Sequence, residues 1–260
     1  MQTLRTELQQ GWLTIFLSQP DKRNALTDKM VAELSLELTR TAADASIRGI
    51  TMRGDGAVFC AGGDLKGFQS NLDADSRALI DTSSRTAGNL FHQIDEMPQV
   101  VFMRVHGAAI AGGLGVVCGG DVVAVTADAK FALTETQLGI VPAQIAPLVV
   151  QRVGAATARR LMLTGARFDG TTAAKLGLAD FVANDEAALD EIEAQVRRDV
   201  MRCAPGAIAA TKQLIRDIQP LNTEETIEYA AMTFTERLAS DEGREGIASF
   251  IEKRKPEWSA

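Results

Sequence analysis

Residues 100–115 read Val100-Val101-Phe102-Met103-Arg104-Val105-His106-Gly107-Ala108-Ala109-Ile110-Ala111-Gly112-Gly113-Leu114-Gly115. The β-branched and aromatic run over 100–105 predicts a strand, and the small residues after it predict a loop that opens a helix. The same order occurs upstream. Gly49 to Met52 reads as a strand, Arg53-Gly54-Asp55-Gly56 as a turn and Ala57 to Cys60 as a short apolar step. Ala61-Gly62-Gly63-Asp64 is then a second Gly-rich loop, and Leu65 begins a helix. A strand, a small-residue loop and a helix in repetition describe an α/β chain.

Working outward, Trp12 to Leu17 alternates and predicts a further strand. Pro20 to Thr27 is a polar loop, and Thr27 or Asp28 caps a helix that carries Met30, Leu34 and Leu38 at helical spacing. Residues 73–96 read as mostly helical, Asp121 to Thr126 as a buried strand and Phe131 to Leu133 as a short one. Beyond Pro147 the pattern is helical, with a short strand or loop expected at Ala179 to Ala183. Strands stop before Ala204-Pro205-Gly206, which breaks the helical run, so the chain divides into a core of residues 1–200 and a helical region of residues 201–260. In that region Ile227, Ala231, Phe234 and Leu238 form an apolar stripe that would seal this chain's own core or a neighbour's.

Composition narrows the function classes. At 260 residues the chain is long enough to bury a large core, and 46% hydrophobic with 23% charged residues is ordinary for a soluble globular protein. The net charge is −7 and no Lys/Arg block occurs, which argues against a nucleic-acid partner. No signal peptide and no apolar run long enough to span a bilayer are visible, so a cytoplasmic protein without a membrane partner is expected. The three cysteines, Cys60, Cys118 and Cys203, fit neither a disulfide framework nor a zinc pattern and are expected as small buried residues. No metal-ligand spacing and no Ser–His–Asp arrangement occurs. His106 is expected to make a structural hydrogen bond, and His92 belongs to no pattern.

The Gly-rich loops carry the chemistry. A small-residue loop between a strand and a helix exposes backbone N–H groups at a helix N-terminus, where unsatisfied donors favour negative charge. Two such donors aimed at one oxygen make an oxyanion hole, worth about 3–4 kcal/mol per donor. Either loop alone serves equally well for tight packing. Neither is a phosphate-binding G-x-x-x-x-G-K-[ST] loop, and no G-x-G-x-x-G follows the first strand.

Four segments taken together, Pro20-Asp21-Lys22-Arg23-Asn24-Ala25-Leu26, Phe59-Cys60-Ala61-Gly62-Gly63-Asp64-Leu65-Lys66, His106 to Gly115, and Phe131-Ala132-Leu133-Thr134-Glu135-Thr136-Gln137-Leu138-Gly139-Ile140-Val141-Pro142, resemble the crotonase (enoyl-CoA hydratase/isomerase) superfamily along the whole chain. The resemblance implies a crotonase-like spiral of repeated ββα units with a helical C-terminal trimerisation region. It implies an acyl-CoA substrate, no separate cofactor, and assembly as a homotrimer or a dimer of trimers. It places the two oxyanion donors on Gly63 and Gly112, the latter in a glycine triplet that here reads Ala111-Gly112-Gly113. It places the coenzyme A portion near Lys22, Arg23, Ala25, Ala61, Gly62, Asp64, Leu65 and Lys66, with the lysines and the arginine as phosphate partners. Asp64 is also expected to cap the helix that follows it.

The chain departs from that pattern at the carboxylates. The best-known hydratases carry two glutamates; one matches Glu135, and the other falls on Gly115. A lone carboxylate in a partly apolar pocket has a raised pKa, which suits proton transfer near neutral pH. Segments Leu138 to Val150 and Arg159 to Gly170 are similar to the branch with 3-methylglutaconyl-CoA and isohexenylglutaconyl-CoA hydratases. The expected activity is hydration of a branched or glutaconyl-type 2-enoyl-CoA. The alternatives are a Δ3,Δ2-enoyl-CoA isomerase, a thioester hydrolase, and a catalytically weak acyl-CoA-binding protein. A glutaconyl-type substrate also needs a partner for its second carboxylate, for which Gln144 is the candidate.

Overall fold

The computed structural model describes residues 2–73 and 76–259. From the N-terminus the chain forms β1 (Leu4–Gln9), β2 (Trp12–Leu17), α1 (Asp28–Ala42), β3 (Gly49–Gly54), α2 (Leu65–Asp73) and α3 (Arg77–Asp95). Next come β4 (Val100–Val105), β5 (Ala108–Ile110), α4 (Gly112–Cys118), β6 (Val122–Thr126) and β7 (Lys130–Ala132). A 3-10 turn, Glu135–Leu138, leads to α5 (Ala146–Val153), α6 (Ala155–Thr164), β8 (Phe168–Asp169), α7 (Gly170–Lys175) and β9 (Phe181–Ala183). The chain ends in α8 (Glu186–Met201), α9 (Pro205–Asp217), α10 (Thr223–Ala239) and α11 (Asp241–Ile251).

The strands build two sheets. Six form the order β1-β2-β3-β4-β6-β9, parallel except for the β1–β2 hairpin, and three form β5-β7-β8. The second sheet continues beyond its named strands through isolated parallel bridges, Cys60 to Ala109 and Leu26 to Gly63. Each turn of the chain therefore lays one strand in the large sheet and a shorter extended segment in the small one. This is the α/β spiral expected from the sequence, followed by a C-terminal helical region.

Both faces of the inner strands β2, β3, β4 and β6 are covered, which explains their apolar sequences. In β4, Val101, Met103 and Val105 enter the main core, while Phe102 faces a smaller cluster with Trp12, Leu189 and Val200 beneath α8. Arg104 lies on that second face with 1% of its surface exposed, and its guanidinium meets Glu186 and Asp190 of α8. α1 is capped by Thr27, whose side chain accepts from Met30 N, and it buries Met30, Leu34 and Leu38.

Several elements differ from the sequence reading. β1 is an additional strand; it exposes every residue but Leu4, so no periodic apolar signal marks it. β5 lies inside the small-residue loop the sequence predicts; two of its three residues are alanines, and Ile110 alone is too little to mark a strand. The interruption near residue 180 is a strand, β9, joined to the edge of the large sheet. The helical reading of 73–96 resolves into the end of α2 and α3, with residues 74 and 75 outside the described residues. Cys60 and Cys118 are buried as expected, whereas Cys203 is exposed beside the break between α8 and α9.

The region after residue 201 is tied to the core by buried polar contacts. Lys212 Nζ of α9 donates to Asp121 Oδ2 at 2.6 Å and to the Gln99 carbonyl at 3.0 Å, and Arg216 donates to the Asp95 carbonyl. The apolar stripe of α10 does not seal this core: Ile227, Phe234 and Leu238 are 65%, 67% and 47% exposed. No helix among the described residues is long and apolar enough to cross a membrane.

Candidate functional site

The small sheet assembles the site by register. Cys60 pairs with Ala109, and Ala109 pairs with Phe131, so these residues form one row across parallel segments. Three residues beyond that row the first two segments reach Gly63 and Gly112, and four residues beyond it the third reaches Glu135. Parallel strands leave the sheet at the same end, which brings both Gly-rich loops and the glutamate together. Ala111 N adds a hydrogen bond to the Ala132 carbonyl at 2.8 Å.

The two loops touch. The nitrogen of Gly63 lies 3.7 Å from where a Cβ on Gly112 would sit. Gly62 has φ +98°, and a Cβ there would come within 2.8 Å of the Ile110 carbonyl and 3.1 Å of the Ala111 Cβ, so only glycine admits this approach. Neither Gly63 N nor Gly112 N donates to a protein acceptor among the described residues. Gly112 is the first residue of α4, where N–H groups have no intrahelical partner. Two free donors side by side are what a developing thioester oxyanion requires. Ala111 holds φ 51° and ψ −122°, a backbone shape that costs a residue with a side chain about 1–3 kcal/mol. The strain falls on the residue that delivers Gly112.

Glu135 opens its 3-10 turn after Thr134, whose φ −101° and ψ 4° lie in the sparsely populated bridge region. Its Oε2 is buried without a hydrogen-bond partner among the described residues. Burial raises its pKa above the ordinary carboxylate value, only partly offset by a backbone hydrogen bond. An unpartnered buried carboxylate oxygen is costly unless a ligand or water completes it.

Gly115, where a second carboxylate was missing from the sequence, has no room for one. A Cβ there would lie 2.1 Å from Ile145 Cγ2 and 2.8 Å from Ile145 Cβ. Ile145 is 3% exposed and fills the place with an apolar side chain. Phe91 of α3 closes the same corner, 3.5 Å from that Gly115 Cβ position and 3.9 Å from the Gly112 one.

The candidate coenzyme A residues lie along the first loop. Leu26 N donates to the Gly62 carbonyl at 2.8 Å and Ala61 N to the Arg23 carbonyl at 3.0 Å, so Lys22, Arg23 and Ala25 run beside Ala61 and Gly62. Arg23 and Asn24 both have positive φ, 53° and 54°. Fully buried Asn24 holds them in place: its side chain accepts from Gln19 N and donates to the Asp55 and Val58 carbonyls, each at 2.9 Å. Lys22, Arg23 and Lys66 are exposed, with no ion pair among the described residues. Leu65 is exposed at the start of α2, and Asp64 Oδ1 accepts from Lys66 N at 3.2 Å, the expected cap. His106 is buried, and its Nε2 donates to the Gly56 carbonyl at 2.7 Å, the structural role read from sequence. The sequence reading missed Asn24, Phe91 and Ile145 as site-forming residues. Asn24 sits inside the Pro20 to Leu26 motif and Ile145 inside the segment Leu138 to Val150, but the roles of Ile145 and Phe91 arise only through contacts between distant segments.

The sequence matches the enoyl-CoA hydratase/isomerase family over residues 7–260. The chain belongs to that family. Its fold is similar to that of Pseudomonas aeruginosa AtuE, with TM-score 0.95 and 41% identity over 99% of this chain and 100% of that one. It is equally similar to an enoyl-CoA hydratase/isomerase from Marinobacter aquaeolei, with TM-score 0.95 and 38% identity, each chain covered in full. Among curated relatives, the enoyl-CoA hydratase ACTT6 of Alternaria alternata is 31% identical over 243 residues, 93% of this chain and 79% of that one. The family assignment supports hydratase or isomerase activity and shows the crotonase-like fold.

Proposed function

We propose that this protein hydrates a 2-enoyl-CoA, with Gly63 and Gly112 as oxyanion donors and Glu135 as the only acid/base. The observation that carries this reading is the buried, unpartnered Oε2 of Glu135, set by strand register at the same sheet end as the two free N–H groups. The thioester oxygen accepts from both N–H groups. Glu135 takes a proton from water as the water oxygen bonds to C3, and the electron pair of the C2–C3 double bond moves into the enolate. The same carboxyl then returns the proton to C2, so one water is consumed and Glu135 ends ionised. Its raised pKa suits both transfers. Lys22, Arg23 and Lys66 bind phosphates of the coenzyme A portion, against the backbone of Ala25, Ala61, Gly62, Asp64 and Leu65. Coenzyme A enters as part of the substrate, so no separate cofactor is needed.

The acyl group we propose is branched or glutaconyl-type, as in 3-methylglutaconyl-CoA or isohexenylglutaconyl-CoA. Support comes from segments 138–150 and 159–170, whose sequence resembles that branch. The exposed stripe of α10 supports assembly through residues 201–260 as a trimer or a dimer of trimers.

Glu135→Gln is expected to lower hydration by about 10²–10⁴-fold, followed as loss of the conjugated enoyl thioester. Near-full activity in that variant refutes the assignment. One observation favours a second reading. Because Ile145 takes the place of a second carboxylate, a single base that shuttles a proton between C2 and C4 would make a Δ3,Δ2-enoyl-CoA isomerase. A 3-enoyl-CoA converted to the 2-enoyl isomer, with no hydroxyacyl-CoA formed, selects that reading.

A further inference from the structure

Gln144 and Ile145 are consecutive, yet each fills a notch left by a glycine on a different helix. Ile145 occupies the space of a Cβ on Gly115 of α4. Gln144 occupies that of Gly88 in the middle of α3, where a Cβ would lie 2.3 Å from its Oε1 and 2.9 Å from its Cδ. A glycine inside a helix is unfavourable, and at Gly88 the vacated space holds a carboxamide rather than an aliphatic chain. Gln144 Nε2 donates one hydrogen to Ser84 Oγ of α3 at 3.0 Å. The second amide hydrogen and the Ser84 hydroxyl hydrogen have no acceptor among the described residues. Both residues are half-buried.

The pair lies next to a corner of the candidate site, since Gln144 immediately precedes Ile145, which fills the Gly115 position. Phe91, whose ring meets the Gly112 and Gly115 positions, follows Gly88 by one turn of α3, and a helical turn is ~5.4 Å long. That is within reach of an acyl chain of a few carbons held at the thioester. We infer that Gln144 and Ser84 form a hydrogen-bonding seat for a carboxylate on the acyl chain, and that this seat selects dicarboxylic over plain aliphatic thioesters. The inference rests on the reading that the thioester lies between Gly63 and Gly112. Two neutral donors satisfied by an incoming oxygen, and left unpaired under a hydrocarbon chain, discriminate by what the wrong chain fails to satisfy. Asp81 and Arg85, the nearest charged neighbours along α3, pair with each other and leave the seat to neutral donors.

The test is calorimetric binding of saturated thioesters, which requires no turnover. The wild-type protein is expected to bind glutaryl-CoA about 10–100-fold more tightly than pentanoyl-CoA, a chain of equal length. Gln144→Leu is expected to collapse that ratio to near one, and Ser84→Ala to reduce it. Gln144→Glu should invert it by placing a negative charge against the ligand's. The ratio is the readout, so a general loss of affinity does not mimic the result. A wild-type ratio near one, or a ratio that survives in both Gln144 variants, overturns the seat. A protein that prefers glutaryl-CoA but hydrates no enoyl thioester retains the seat and loses the hydratase reading. A protein that binds neither thioester overturns both.

Discussion

The contact between Gly115 and Ile145 can be measured as a coupling energy. A Cβ added by Gly115→Ala would sit 2.1 Å from Ile145 Cγ2, against the ~3.5–4.0 Å of an ordinary carbon contact. One of the two must move by more than an ångström in a corner already closed by Phe91. Overpacking of this kind costs about 1–3 kcal/mol, and the better helix propensity of alanine returns about 1 kcal/mol. The single variant should therefore lose about 0–2 kcal/mol. Ile145→Ala opens a cavity at a 3% exposed site and should lose about 2–4 kcal/mol. In the double variant the new methyl enters the space that Ile145 vacates, and the total loss should fall to about 2 kcal/mol. The cycle then shows a favourable coupling of about 2 kcal/mol. Reversible urea unfolding at fixed protein concentration reads it, and so does a difference of several degrees in Tm, at about 2–4 °C per kcal/mol for a chain of this size. Losses that add within about 0.5 kcal/mol refute the claim that Ile145 occupies the place of a missing side chain.

Other outcomes follow from single groups. Ala111→Gly removes the strain at φ 51° at the cost of about 0.4–1 kcal/mol from a more flexible unfolded chain, so Tm should rise by a few degrees; a fall contradicts the strained geometry. Glu135 has a raised folded-state pKa, so its ionisation disfavours the fold, and its contribution is favourable below the unfolded value of 4.5 and lost as pH rises through the folded value. Glu135→Gln should therefore be more stable than wild type at neutral pH, with the gap closing under acid; equal stability at both ends of the titration contradicts the burial of that carboxyl. Cys203 should react with a thiol reagent in the native protein, while Cys60 and Cys118, buried with thiols pushed up to about 12, should react only after unfolding.

Much of the frame was legible because local chemistry agreed with the global fold. β2 and β4 begin and end where their apolar runs do, and Thr27 caps α1 because its hydroxyl meets an orphan N–H. The elements that escaped lack such a signal. β1 pairs through its backbone alone, and β5 is an alanine-rich segment defined only by its neighbours. At the site, Gly63, Gly112 and Glu135 stood out because their motifs are contiguous. The meaning of Gly115 did not. A glycine in sequence says only that a carboxylate is absent; that the space belongs to Ile145, thirty residues on, emerges when α4 and the segment before α5 pack together. Gln144 was singled out from sequence as a polar candidate, and its seat on Gly88 is likewise a contact between distant segments.

The register of the small sheet separates two parts of the chemistry that substitution treats differently. The proposed oxyanion donors are backbone groups, placed by the row of Cys60, Ala109 and Phe131. No side-chain replacement removes an N–H short of proline, so the proposed enolate stabilisation would be a property of the backbone. Proton transfer rests instead on side chains at the end of the same row, which can change without disturbing it. Of the two positions the resemblance singles out, one is Glu135 and the other is Gly115, whose side-chain space is filled by Ile145. That packing makes the Gly115 side of the proposed enolate apolar and leaves Glu135 as the group that can order a water. Hydration and isomerisation then differ in one physical respect, whether a water fits between Glu135 and C3 of the bound chain. In the proposed site the acyl group decides that by how it fills the space beside Phe91, Gln144 and Ile145. A seat that fixes the far end of the acyl chain thus also fixes which carbon Glu135 faces, so substrate choice and reaction type are set by the same few side chains.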